Sequence, residues 1–173
     1  LMSSSWLTRV GSGLTVVVML CGGASTMTCA DEQPSRTRVE YHEIQQAFFT
    51  EQFDDVRARA HAFLAQHPDS PDTPRIMVWL AIGLEQLQQS NSALRVLDQL
   101  KARLAATDPL WPELLFWEGE ISRRALQLIT ANTAYQRVVN RYPDSRWSAQ
   151  AQSGLGLIAI HHQIWDRAIE RFR

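Results

Sequence analysis

The feature that most constrains this chain is a pattern that recurs every 37 or 38 residues. Val56, Ala93, Ala131 and Ala168 form one ladder, with gaps of 37, 38 and 37. Ala60, Leu97, Tyr135 and Phe172 form a second with the same gaps, and Ile44, Ala81, Gly119 and Gly156 a third. A period in this range belongs to helical hairpins that cannot bury their apolar faces alone and must stack. The expected fold class is therefore all-α: an α-solenoid of about four stacked antiparallel helical hairpins. Such arrays present extended surfaces to partners, but the repeat by itself names none.

Apolar spacing places the hairpins. The first is expected from about Thr37 to His67, with stripes Tyr41, Ile44, Phe48, Phe49 and then Phe53, Val56, Ala60, Phe63, Leu64. Its break falls at Thr50-Glu51-Gln52, and Pro68-Asp69-Ser70-Pro71 ends it, because proline cannot continue a helix. The second runs from about Pro74 to Ala105, with Leu87 closing its first stripe and Gln88 to Ser92 as the turn. The third runs from about Trp111 to Tyr142 and stops at Pro143-Asp144-Ser145, which lies 75 residues, or two repeats, after Pro68-Asp69-Ser70. The fourth begins near Arg146 or Trp147. Its second helix, carrying Trp165, Ala168, Ile169 and Phe172, is short, so a truncated fourth repeat is expected; Leu1 before Met2 points the same way.

Small residues have a reason to recur. Where two antiparallel helix backbones approach closely, side chains must be small, which suits Ala81, Gly119 and Gly156 on first helices and Ala93, Ala131 and Ala168 on second helices. Glycine inside a helix costs about 1 kcal/mol relative to alanine, so Gly119 and Gly156 point to a packing constraint.

The first 30 residues read as an export leader. Arg9 is their only charge, Leu14 to Cys21 is a short apolar core, and the small residues Gly22 to Thr26 follow. The core is well short of the ~20 residues that span a membrane. Cleavage is expected after Ala24 or Ala30. Val18-Met19-Leu20-Cys21-Gly22-Gly23 also reads as a lipid-attachment box on Cys21, although Leu20 is larger than such a box prefers. The expected organisation is leader 1–30, linker 31–37 and repeat domain 38–173. With the leader removed, 16 basic and 18 acidic residues leave a charge of -2. That balance gives no basic patch, so nucleic acid is not an expected partner. Membrane contact is expected only through a lipid anchor. Both cysteines lie in the leader, so no disulfide framework is expected in the body.

The string Gly156…Trp165-Asp166-Arg167-Ala168-Ile169-Glu170-Arg171-Phe172 resembles a tetratricopeptide repeat. So does Ala131…Tyr135-Gln136-Arg137-Val138-Val139…Tyr142-Pro143-Asp144-Ser145. The resemblance covers about residues 38–173 and is weakest in repeat one, where Ile44 and Val56 replace the small pair. The long period and the Tyr-Pro-Asp-Ser ending resemble a branch found in bacterial envelope proteins, the BamD-like lipoproteins and the Tol–Pal coordinator. The resemblance implies that the first helices line an inner, partner-binding groove. It assigns to that groove Tyr41, Gln45, Phe48 and Phe49; Val78, Ile82, Glu85 and Gln86; Phe116, Glu120, Arg123 and Arg124; and Ser153, Leu157, Ile160 and His161. The alternative is that several of these pack inside the array. The Lys/Asn clamp with which some members grip a terminal carboxylate is absent from these positions.

Catalytic and metal-binding patterns are weak. No glycine-rich phosphate loop and no His-Glu-x-x-His occurs. Adjacent His161 and His162 point to different helix faces, and His161 and Asp166 are too far apart to chelate together. Asp54-Asp55 suits a helix start, where negative charge complements the dipole. Glu118 stands where the family usually has leucine and is expected to pair with Arg123, Arg124 or a neighbouring repeat. Trp117 and Trp165 are expected to be packing residues. No metal, cofactor or catalytic residue is expected, and the chain reads as a non-enzyme. The leading expectation is an exported scaffold that binds protein or peptide partners in the cell envelope, in the periplasm or at the periplasmic face of the outer membrane. The alternatives are a BamD-like lipoprotein of outer-membrane protein assembly, and the helical part of a larger enzyme.

Overall fold

The computed structural model describes residues 36–161, and the chain divides into two units, Leu1–His42 and Glu43–Arg173. The described residues form seven helices and no strand. Residues 36–49 are helical (α1), followed by α2 (Phe53–Gln66), α3 (Thr73–Gln86), α4 (Ser90–Arg103), α5 (Trp111–Arg124), α6 (Leu128–Arg141) and α7 (Arg146–His161). The all-α expectation holds. Arg36 and Thr37 are already helical rather than linker, and Arg36 pairs with Glu40 one turn on at 3.2 Å. The leader, Cys21 and the segment carrying Trp165 to Phe172 lie outside the described residues.

Helices α2 to α6 are each 14 residues long, about 21 Å. Their ends follow from local chemistry. Pro74 and Pro112 stand in the first turns of α3 and α5, where a missing N–H leaves nothing unpaired. Asp54 and Asp55 occupy the first turn of α2, as expected from the dipole. Leu87, expected to close a stripe, instead caps α3, and Ala125 caps α5 in the same way.

The turns inside the hairpins are built alike. Glu51, Gln88 and Leu126 have φ of 58°, 60° and 59°. Each is the left-handed residue just beyond a helix end, and its successor's N–H reaches back five residues: Gln52 to Ala47, Gln89 to Leu84 and Gln127 to Ser122. The same three glutamines then precede α2, α4 and α6, and their carbonyls accept the first bonds of those helices, from Val56, Ala93 and Ala131. The turns between hairpins repeat too. Ser70, Asp108 and Ser145 donate backbone N–H bonds to His67, Ala105 and Tyr142, three residues back in each case.

Within the second unit, each helix packs on its sequence neighbour from α2·α3 to α6·α7, and the first helices also meet directly, α3 on α5 and α5 on α7. The ladder residues form this core. Ile44, Val56, Ala60, Ala81, Ala93, Leu97, Ala131 and Tyr135 are all buried. Helix α3, with neighbours on several sides, is buried without interruption from Ile76 to Glu85.

The glycines refine the close-approach expectation. A Cβ at Gly119 would lie 2.5 Å from the Tyr135 ring, and one at Gly154 would lie equally close. Tyr135 on α6 is thus held between α5 of its own hairpin and α7 of the next. The ladder's Gly119 meets the ring from one side and Gly154, which is not on the ladder, from the other; the close approach expected of Gly156 is to a helix outside the described residues. One repeat earlier, Trp117 occupies the position of Gly154 and Leu97 that of Tyr135, so the large and small residues are exchanged.

Candidate functional site: the first-helix face

Tyr41 belongs to the first unit, where it is half-buried and meets the His42 ring edge-on at 5.7 Å. The other groove candidates belong to the second unit. On α1, Gln45 and Phe48 are half-buried, Phe48 stacks on Trp79 at 5.7 Å, and Phe49 is 70% exposed. On α3, Val78, Ile82 and Glu85 are buried inside the array and only Gln86 is exposed. Flanking hairpins cover α3, so Val78, Ile82 and Glu85 offer a partner no surface. The Glu85 Oε2 is buried with no hydrogen-bond partner.

Helix α5 carries the polar centre of this face. Glu120 accepts bonds from Tyr135 Oη at 2.5 Å and Arg123 at 2.8 Å, and Arg124 stands 4.0 Å away. The Glu120 hydrogen bond, which outweighs burial, holds Arg123 above its ordinary value. Burial, aided by the Glu120 carboxylate, raises the Tyr135 phenol. Arg124 projects furthest and is exposed. Phe116 is buried, stacks on Trp147 at 4.9 Å and meets Trp117 edge-on, so Trp117 is a packing residue as expected. On α7, Leu157 is 45% and Ile160 37% exposed, and Ser153 and His161 are exposed. The surface-facing part of the predicted groove is therefore Arg124, Ser153, Leu157, Ile160 and His161, with Phe49 and Gln86 toward the other end.

Two ion-pair systems link the repeats. Of the partners expected for Glu118, the neighbouring repeat supplies it: Lys101 of α4 at 2.9 Å, rather than Arg123 or Arg124. Lys101 also reaches Asp98 at 2.7 Å, and although burial pulls its ammonium down, these carboxylates hold it above its ordinary value. Glu113 pairs with Arg75 at 2.7 Å and approaches Arg146 at 3.8 Å, tying together the starts of α3, α5 and α7. The sequence reading did not pick out Arg75, Glu113 or Arg146. A usable signal was present, since Arg75 and Glu113 are 38 residues apart in the repeat frame.

Among the described residues, no group of three His, Cys, Asp or Glu side chains is placed to hold a metal ion. Nor is any described helix long and apolar enough to cross a membrane.

Residues 113–145 match the tetratricopeptide repeat family. No curated protein matches the chain. Eleven chains of known structure do. One is the crystal structure of MamA, 13% identical, with a TM-score of 0.66 over 82% of this chain and 77% of that one. This protein is thus an all-α helical-repeat chain with a tetratricopeptide repeat at residues 113–145.

Proposed function

We propose that this chain is an exported scaffold that binds protein partners in the cell envelope through the inner face of its first helices. One observation carries the reading. The described ladder residues are buried, yet the first helices α5 and α7, which pack on each other, leave Arg124, Leu157 and Ile160 exposed. Exposed aliphatic groups and an arginine on adjacent first helices suit a peptide or helix that presents apolar side chains and a carboxylate. The tetratricopeptide repeat at 113–145 supports a role in protein–protein interaction. Export is supported by the n-, h- and c-region order of residues 1–30. The reading assigns no chemistry to the described residues.

The test is a paired capture and fractionation. The full chain should appear in the osmotic-shock or envelope fraction and retain the same proteins reproducibly, whereas an Arg124→Glu/Leu157→Asp variant should lose them. Cytoplasmic retention, or identical capture by the variant, overturns the proposal. The lipid-box reading has its own arm: palmitate label that disappears in Cys21→Ala supports a BamD-like anchored form, and release as a soluble protein excludes it.

A further inference from the structure

Two carboxylates of α5 are each approached by two arginines. Glu113 takes Arg75 at 2.7 Å and has Arg146 at 3.8 Å; Glu120 takes Arg123 at 2.8 Å and has Arg124 at 4.0 Å. In each case the nearer arginine neutralises the carboxylate. The farther one keeps its charge for another group and stays in water: the side chains of Arg146 and Arg124 are 75% and 46% exposed. Arg146 lies over the Trp147 ring, 4.6 Å from its centre, which holds it against α7 without neutralising it. No spare acid stands on these two helices. Glu118, the third carboxylate of α5, pairs with Lys101, and α7 contains neither Asp nor Glu.

Arg146 also belongs to a stripe. At 3.6 residues per turn, Arg146, Ser153, Leu157 and Ile160 fall within about 60° of one another around α7. All four are exposed. The stripe is graded along the helix. A cation stands at its start, the small residues Ala149 and Ser153 lie in the middle, and the aliphatic pair Leu157 and Ile160 lies toward its end. From Arg146 to Leu157 the rise is about 16 Å, or three turns.

We propose that this stripe binds an acidic amphipathic helix, a reading that rests on the inner-face function proposed above and names its partner's chemistry. Aliphatic residues of the partner pack on Leu157 and Ile160. A carboxylate three turns along the partner's same face meets Arg146, and a second, on its flank, meets Arg124. A helix fits because it shares the rise of α7, so anchors three turns apart on one meet anchors three turns apart on the other. The small middle of the stripe lets the two backbones approach to about 8–10 Å. A membrane surface fits less well, because α7 offers it only two large exposed apolar side chains.

The experiment displays on phage a small three-helix scaffold with one helix face randomised, and selects it against the full chain. The expected clones carry aliphatic residues at i and i+3 or i+4, and Asp or Glu about eleven positions away. They should bind the wild type at least tenfold tighter than either Arg146→Glu or Leu157→Asp, and weaken at least tenfold between 50 mM and 500 mM salt. Selection against Arg146→Glu should return Lys or Arg in place of the acid. A thermal melt checks that the variant folds; Arg146→Gln serves if it does not. Clones that need Leu157 but ignore Arg146→Glu overturn the acidic helix and leave the inner-face reading standing. No enriched clones, clones with a basic residue against the wild-type Arg146, clones indifferent to both variants, or retention of the wild type on phosphatidylglycerol vesicles that Arg146→Glu abolishes would each overturn it as well.

Discussion

The Tyr135 hydroxyl donates a 2.5 Å hydrogen bond to Glu120 Oε1, joining the second helix of the third repeat to the polar centre of its first. The same carboxylate orients Arg123 and stands beside Arg124, so a core residue fixes the electrostatics of the exposed face. Tyr135→Phe removes only the hydroxyl. Bonds to charged groups contribute about 1.5–3 kcal/mol, so this variant should lose about 2 kcal/mol in urea unfolding. The phenol is raised above its ordinary value of 10, so the folded state keeps a proton that the unfolded chain gives up above that pH. Stability should therefore be intact below about pH 10 and fall as pH rises beyond it. Tyr135→Phe should show a shallower alkaline slope than the wild type.

Gly154 and Tyr135 should behave as a matched pair. A Cβ at Gly154 would meet the buried ring at 2.5 Å, and the ring cannot yield while Glu120 holds its hydroxyl. Alanine gains about 1 kcal/mol in helix propensity but overpacks the core by about 1–3 kcal/mol, so Gly154→Ala should be net destabilising. Paired with Tyr135→Leu, the residue the second repeat uses, it should cost less than the two single changes added together. A double-mutant cycle by denaturant titration reads this, and strict additivity would sink the idea.

At Leu126, φ is 59°, a conformation that costs a side-chain-bearing residue about 1–2 kcal/mol. Glycine relieves that strain but adds about 0.5–1 kcal/mol of unfolded-state entropy. Leu126→Gly should thus raise stability by about 0.5–1 kcal/mol, seen as a higher melting temperature. A lower one would contradict the helix-end geometry described for this turn.

Lys101 of α4 and Glu118 of α5 form an ion pair between the second and third repeats. Removing Lys101 leaves a carboxylate whose Oε2 is already buried without a partner. Lys101→Met should cost about 3 kcal/mol, while Lys101→Met/Glu118→Leu should come close to wild type. The comparison is made at pH 7 by denaturant titration.

How much of this was legible in the sequence follows from periodicity. The ladders through Val56, Ala60 and Ile44 predicted the hairpins and the core, because every repeat must bury the same positions. The turns were only partly legible. Glu51, Gln88 and Leu126 occupy left-handed positions without the glycine that would have announced them. The ladder did not contain Gly154, because a glycine matched to a ring on the neighbouring hairpin is a pairwise fact that repeat alignment averages away. Exposure along the first helices was half legible. The positions named by resemblance include Arg124, Leu157 and Ile160, which are exposed, but could not show that α3, packed on several sides, buries Val78, Ile82 and Glu85.

The central claim is that the face holding Arg124 and Leu157 receives a protein partner. A photo-crosslinking residue placed singly at Leu157, at Arg124 and at the exposed Arg137 of α6, in cells producing the full chain, tests it most directly. Leu157 and Arg124 should give discrete adducts with other proteins, and Arg137 none of these. No adduct at either inner-face position, or the same adducts from Arg137, would contradict it.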